Sequence, residues 1–366
     1  MFERRLYFHI DWLLLGAILL LAGIGVAMIY SATYNPLKNA PGPQFYTQMY
    51  ALVLGIIAML VCMAVDYRRL AEHSLLIYGI LLALLIYVLV FGVTRGGSQR
   101  WINLRVFNLQ PSEFGRLVVA LVLAMYFGEN RRGARTPGDL MIGAGFVALP
   151  LLLIAKQPDL GTAVTLLPVF LGVAYVAGMR MRLLVVVALI GALMAPVAWK
   201  YGLKDYQRQR VETFLDPERD ARGAGYQQIQ ARITVGSGGL TGKGFMKGTQ
   251  GQYKFLPVAH NDFIFSVLAE EQGFLGVLVA LGLYLFIILR SLESARLAKD
   301  RLGAYLVAGI VSGFAFQVIY NITMSAGLAP VKGLTLPLLS YGGSAVISTL
   351  AAFGLVLNVR MRRFTN

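Results

Sequence analysis

The sequence predicts an all-α polytopic membrane protein of about ten transmembrane helices, with one long extracytoplasmic loop between the seventh and eighth. Three observations carry this. Hydrophobic residues make up 57% of the 366-residue chain and charged residues only 14%, with a mean hydropathy of +0.65, far from a soluble composition. Stretches of about 20 apolar residues, enough to cross the hydrocarbon core as helices, recur along most of the chain. The only long polar passage runs from 201 to 262. The spans use up most of the length, so residues 1–366 read as one domain, with 201–262 a loop within it.

The predicted spans are 11–31, 45–65, 73–93, 112–128, 138–155, 160–178, 183–200, 263–289, 303–325 and 343–359. The first, Trp12–Tyr30, follows Arg4 and Arg5 and superficially resembles a signal peptide. It is longer than a signal core and more spans follow, so it reads as an uncleaved helix. With ten spans, one set of alternate loops and ends collects sixteen Lys/Arg: Arg4, Arg5, Arg68, Arg69, Arg131, Arg132, Arg135, Arg180, Arg182, Arg290, Arg296, Lys299, Arg301, Arg360, Arg362 and Arg363. The short opposite loops collect six: Lys38, Arg95, Arg100, Arg105, Lys156 and Lys332. The richer side belongs in the cytoplasm. Both termini are then cytoplasmic and 201–262 lies outside. No repeat of solenoid period is visible, nor a resemblance between the halves, which argues against an inverted-repeat transporter.

The net charge of +15 does not mark a nucleic-acid binder. Its basic residues punctuate the ends of apolar runs, as orientation signals do, rather than clustering on one face with interleaved aromatics. A single cysteine, Cys62 in an apolar run, excludes an intrachain disulfide and says nothing of redox compartment.

Chemistry concentrates in and around the polar passage. It carries nine Lys/Arg, a glycine-rich centre Gly236-Ser-Gly-Gly-Leu-Thr-Gly-Lys-Gly244, and the ending Phe255-Leu-Pro-Val-Ala-His-Asn-Asp262. Asp262 therefore sits where the chain re-enters apolar surroundings, the position expected of a reactive carboxylate; the competing reading is an N-cap of the eighth helix. Glu113 and Arg116, three apart after Pro111, share a helix face, and an intramembrane ion pair is a functional candidate by default. Asp159, in Lys156-Gln-Pro-Asp-Leu-Gly-Thr162, caps the sixth span or serves the site. Trp101 fits an interfacial anchor. Glu270 and Glu271 lie about two turns below Asp262, roughly 12 Å by helix rise, and need protons or partners such as an Arg of another span. The Pro and Gly pair in Leu336-Pro-Leu-Leu-Ser-Tyr-Gly-Gly-Ser344 are breakers tolerated at membrane depth only in buried or cavity-lining backbone, which fits a loop folded over the outer mouth. His9, His73 and His260 are scattered, no metal-ligand spacing occurs, and the glycine-rich stretch lacks Walker context.

Taken together and in order, these segments resemble the SEDS family (shape, elongation, division, sporulation) over nearly the whole chain. The motifs are Gln110-Pro-Ser-Glu113, Gln157-Pro-Asp-Leu-Gly161, Asp205-Tyr-Gln-Arg-Gln-Arg210, Leu215-Asp-Pro-Glu218, Gly223-Ala-Gly-Tyr226, Gly236-Ser-Gly-Gly-Leu240, Gly242-Lys-Gly244, Gly248-Thr-Gln250, His260–Phe265 with Glu270-Glu271, and Pro337–Ser344. Tyr206–Arg210 favours the elongation branch over the division branch. The resemblance implies a peptidoglycan glycosyltransferase of the bacterial inner membrane that polymerises lipid II into β-1,4-linked glycan strands on an undecaprenyl carrier. It further implies a class B penicillin-binding protein as transpeptidase partner, within the elongation machinery. The family's essential acid corresponds to Asp262 and its essential tryptophan to Trp101. Asn261 stands where Thr is common and Arg116 where Lys is common, and Arg for Lys changes donor geometry.

That chemistry asks a base to take a proton from a sugar hydroxyl as it attacks an anomeric carbon. Inversion by single displacement needs one base rather than a carboxylate pair. Asp262 is the expected base. The leaving diphosphate needs positive charge, for which Arg208, Arg210, Lys243 and Arg116 are candidates; alternatively a divalent ion, magnesium or manganese, takes Asp262 as a ligand. Glu113, Asp159, His260 and Ser340 complete the expected substrate-binding set. The isoprenoid tail calls for a lipid-facing groove near the fourth, fifth and eighth spans. The alternatives are a flippase for a lipid-linked precursor, which expects cations deep in the spans and two-sided access, and a scaffold, which gives no reason for buried carboxylates.

Overall fold

The computed structural model describes residues 9–35, 38–95, 98–103, 108–129, 136–180, 182–183, 186, 189, 193, 205–220, 223–253 and 255–364. Among the described residues, eight helices are long and apolar enough to cross a membrane: Trp12–Thr33, Pro43–Ala64, Ser74–Phe91, Pro111–Glu129, Pro137–Lys156, Ile264–Arg296, Arg301–Ser325 and Gly343–Met361. Leu160–Val176 is a shorter apolar helix. These match nine of the ten predicted spans and keep their numbers below; the predicted seventh, 183–200, lies largely outside the described residues.

The spans are apolar around most of their circumference, the pattern of helices that meet lipid on one side and protein on the other. Leu75, Leu76, Ile80 and Ile86 of the third span remain exposed, while Tyr78, Leu81, Leu85 and Val88 pack inward. The ninth and tenth spans form the centre. The tenth packs chiefly against the second, and the ninth against the fourth and sixth.

Between these two central spans the chain from 326 to 342 folds back among the helices as irregular backbone, with Leu334, Leu336, Leu338 and Leu339 buried. Away from water such backbone must find partners inside the protein, and four of its carbonyls take polar side chains of the spans. Asn321 Nδ2 donates to Leu334 O (2.6 Å), Gln317 Nε2 to Thr335 O (2.8 Å), Tyr284 Oη to Pro337 O (2.6 Å) and Gln48 Nε2 to Ser340 O (3.3 Å). The Pro and Gly breakers of this stretch thus serve a buried loop.

The predicted 201–262 loop is largely helical where described: Asp205–Leu215, Ala224–Ser237 and the single turn Thr249–Gln252 are α-helices. Its glycine-rich centre docks on a break in the eighth span. Gly273, at φ +64, interrupts that helix, and Lys243 N and Gly244 N donate to the carbonyls of Glu270 and Glu271 (3.0 and 2.9 Å). A Cβ on Gly273 would collide with the backbone of Gly242, so the close approach requires glycine at both positions.

Strands, absent from the all-α expectation, form one small antiparallel sheet among the described residues, at the site-bearing end: β1 (Val93–Arg95), β2 (Ser98–Asn103) and β3 (Asn108–Leu109) in that order. It pairs Ile102 with Leu109 and Asn103 with Asn108.

Opposite the sheet, a cluster of buried and part-exposed charges ties the helix ends together. Arg360, 6% exposed, bonds Asp11 (2.9 Å) and Glu293 (3.3 Å), and Arg290 reaches the same two acids (2.7 and 2.6 Å).

Candidate active site

The site assembles where the sheet, the fourth and sixth span starts, the Gly333 turn and the tenth span start converge. Their residues enclose a cavity of about 210 Å³ lined by Arg100, Trp101, Gln110, Glu113, Asn261 and Tyr341, among others. Pro111 opens the fourth span with a 3₁₀ turn, which puts Glu113 at the cavity and Arg116 one turn deeper. Arg116 donates to Glu113 at 2.8 Å, and both face a second, smaller void of about 30 Å³ between the fourth, ninth and tenth spans.

Asp262 precedes the eighth helix without capping it. The cap position is Phe263, which makes no side-chain bond, so the N-cap reading of Asp262 is overturned. The Asp262 carbonyl accepts from Asn321 Nδ2 at 3.0 Å, fixing the turn. Its carboxylate Oδ1 is shielded from solvent and has no hydrogen-bond partner. Oδ2 lies 3.6 Å from where a Cβ on Gly333 would stand, and Gly333 and Asn261 both border the cavity. Burial pushes the carboxyl up to about 6, against the opposing fields of Arg100 and Arg210.

The cations are arranged by the sheet and the loop helix. Arg100, on β2, reaches Asp159 at 3.1 Å and stacks its guanidinium 4.6 Å from the Trp101 ring centre. Asp159 also caps the sixth span through Thr162 N (3.3 Å) and accepts from Gln110 Nε2 (2.9 Å). Arg210 lies on Asp205–Leu215 and acts on both Asp262 and Lys332. Lys332, beside Gly333, holds its ammonium 5.8 Å from the Tyr320 ring centre, and burial lowers its pKa.

Of the residues singled out from sequence, Trp101, Glu113 and Arg116 lie at or below the cavity, Asp159 behind it, and Asp262 at its edge. Arg208 and Arg210 share the loop helix. His260 stands two residues before Asp262, on the far side of Tyr341, and burial lowers its pKa. Ser340 turns its hydroxyl to Leu336 N (2.8 Å), holding the buried loop. Lys243 is drawn elsewhere: its Nζ pairs with fully buried Glu270 at 2.6 Å and also donates to Thr249 Oγ1. Glu271 accepts from the Ser31 hydroxyl. The expected Arg partner for these two acids is therefore replaced by a loop lysine and a first-span serine. Arg100, Lys332, Thr335 and Tyr341 were missed as site residues. Arg100 and Lys332 read as orientation charges, Tyr341 lies inside the Pro337–Ser344 motif without being singled out, and nothing local marks Thr335.

An apolar groove of about 560 Å³ lies between the fifth and sixth spans, lined by Met141, Leu152, Leu167 and Phe170 among others. The sequence placed a groove by the fourth, fifth and eighth.

A multi-pass helical bundle with a half-buried acid and converging cations at one end defines a membrane enzyme working at the membrane surface. The chain belongs to the FtsW/RodA/SpoVE family of cell cycle proteins, whose model matches residues 11–364. Among its relatives, the peptidoglycan glycosyltransferase MrdB of Escherichia coli K12 is 38% identical over 357 residues, covering 97% of this chain and 94% of that one. The peptidoglycan glycosyltransferase RodA of Treponema pallidum is 31% identical, covering 96% and 98%. Among solved structures, a chain from a peptidoglycan synthase complex superposes with a TM-score of 0.85 at 34% identity, covering 98% of this chain and 99% of that one. RodA of Thermus thermophilus gives 0.72 at 30% identity, covering 98% of each.

Proposed function

We infer that this chain is a peptidoglycan glycosyltransferase that polymerises lipid II, with Asp262 as the general base. The observation that carries the assignment of the base is the Asp262 carboxylate, with one oxygen shielded and unpartnered and a pKa raised to about 6 beside a polar cavity. A base of that pKa is largely ionised at neutral pH yet far more basic than an ordinary Asp. It takes the proton from the attacking sugar hydroxyl while the new C–O bond forms at the anomeric carbon. The bond from that carbon to the diphosphate breaks on the opposite face, inverting the centre and releasing the lipid diphosphate.

Arg100, Arg210 and Lys332 supply the positive field for the leaving group. Arg116, paired to Glu113, braces the floor, while Lys243 is engaged by Glu270. No three His, Cys, Asp or Glu side chains converge as a metal cage among the described residues. A magnesium or manganese ion would therefore be held chiefly by the substrate diphosphate, with the unpartnered Asp262 oxygen as a ligand; bound there, it would neutralise phosphate charge.

The site-bearing end faces the outside of the bacterial cytoplasmic membrane, with both termini cytoplasmic, on the Lys/Arg distribution. The partner is a class B penicillin-binding protein. A structural relative studied for coordination of polymerization and crosslinking in a peptidoglycan synthase complex supports this.

The test is detergent-purified protein given lipid II, as wild type and Asp262→Asn, with and without chelator. Glycan strands from wild type alone are expected. Full polymerisation by the variant removes Asp262 from the mechanism, loss with chelator assigns an ion, and translocation in liposomes without polymer makes the chain a flippase.

A further inference from the structure

A second and larger cavity, of about 660 Å³, opens at the same end of the bundle, on the other side of the segment that carries Asp262. One wall is the connection between the first and second spans, with Thr33, Tyr34, Asn35 and Gln44. The other is the stretch from Leu256 to His260.

Two packed side chains, Tyr341 and His260, stand between the cavities. Tyr341 lines the Asp262 cavity, and its ring meets the His260 imidazole edge-on at 5.6 Å. Tyr341 N also donates to His260 O at 2.9 Å, and His260 lines the larger cavity. The first turns of the second span extend the partition, Gln44 facing one cavity and Thr47 the other. Gln48, one residue on, is locked to Ser340 O and Gly342 N (3.3 and 3.1 Å).

Their chemistry differs. The smaller cavity holds Arg100 and Glu113, and Arg210 acts on Asp262 at its edge. The larger carries hydroxyl, amide and imidazole groups on walls stiffened by Pro41, Pro43 and Pro257, with Lys38 its one charge among the described residues. Burial lowers the His260 pKa and so favours the neutral imidazole. Neutral hydrogen-bonding groups on rigid walls suit sugar hydroxyls and acetamides and offer little to a diphosphate.

We propose that this groove is a carbohydrate subsite that holds the sugars of the growing glycan strand, on the far side of the His260–Tyr341 partition from the diphosphates. It rests on the polymerase reading above. A polymerase that keeps its strand needs a grip on product that is separate from the reacting centre. Without that grip each coupling competes with release, and strands end early.

The test is strand length. Gln44→Trp fills the groove from the start of the second span, and Asn35→Ala removes an amide without adding bulk. Both are assayed with lipid II for the initial rate of the first coupling and for the length distribution of the strands. The expected result is a first-coupling rate within about twofold of wild type and strands shortened several-fold, more for Gln44→Trp. Unchanged lengths in both well-folded variants overturn the proposal. So does unchanged length with weakened binding of the transpeptidase partner, which would make the groove a protein-docking surface. Failure of the polymerase reading is distinguishable, because wild type would then make no strands.

Discussion

Gly333 and Asp262 face each other at the edge of the polar cavity, where a methyl group on Gly333 would stand 3.6 Å from Asp262 Oδ2. Gly333 also has a φ of +65, which disfavours any residue with a Cβ. The added methyl would sit in ordinary van der Waals contact with Oδ2, but Gly333→Ala should impose about 1 kcal/mol of backbone strain, and relief of that strain should shift the turn that borders the carboxylate. A misplacement of about 1 Å at a reacting group can cost ~100-fold in rate. Polymerisation should fall at least tenfold in protein whose melting temperature drops by only a few degrees. Wild-type rates in Gly333→Ala would show that the Asp262 side chain does not need its present position.

The pH dependence follows from the same carboxylate. Its folded pKa, about 6, lies above the ordinary 3.8 because burial disfavours the charge. The side chain's contribution to stability is fully present below about pH 3.8 and is lost as pH rises through about 6. With Asp262 as the proposed base, activity runs the opposite way, since the base must be ionised, and the rate should fall on the acid side with a midpoint near 6. Asp262→Asn should be inactive yet melt no lower than wild type at pH 7.5. Arg100→Ala removes a cation that opposes the shift, and its acid limb should move about one unit higher. An acid limb near 4 in wild type would contradict the assignment of the base.

The spans were readable because each is a local property: about 20 apolar residues in a row report their own burial in lipid. Asp262 was readable for a related reason, as an acid at the border between a polar passage and an apolar run. What stayed hidden depends on contacts between distant residues. Arg100 is one loop charge among six until β2 carries it to Asp159, 59 positions away. Gln317 and Asn321 resemble stray polar residues in an apolar helix until the buried loop brings Thr335 and Leu334 carbonyls to them. The polar 201–262 passage showed no strong apolar period, so its helices went unread.

The Lys243–Glu270 pair separates a structural lysine from a phosphate ligand. Glu270 is fully buried and accepts from Lys243 Nζ, Thr249 N and Gln250 N. Lys243→Met leaves that charge without its cation and should destabilise by about 3 kcal/mol, with loss of activity as the glycine-rich segment leaves the Gly273 break. Adding Glu270→Gln should recover most of the stability and, because the lysine's task is to hold the loop, most of the activity. A double variant that is stable but inactive would instead place Lys243 on the substrate.

At the opposite end of the bundle, Arg360 should matter for stability alone. Its guanidinium is 6% exposed and joins Asp11 on the first span to Glu293 and Ser294 on the eighth (2.9, 3.3 and 3.1 Å). Arg360→Met keeps the volume and removes the charge. Asp11 retains Arg290 at 2.7 Å, so its carboxylate is weakened rather than stranded, and the expected loss is about 2 kcal/mol. Lysine should rescue only part of it, because a single ammonium cannot bridge both helices as the planar fork does. The melting temperature in detergent should fall for both variants, while the polymerisation rate per folded molecule stays at the wild-type value. A rate loss that survives correction for folded protein would mean that this charged end is coupled to the site across the membrane through the first and eighth spans.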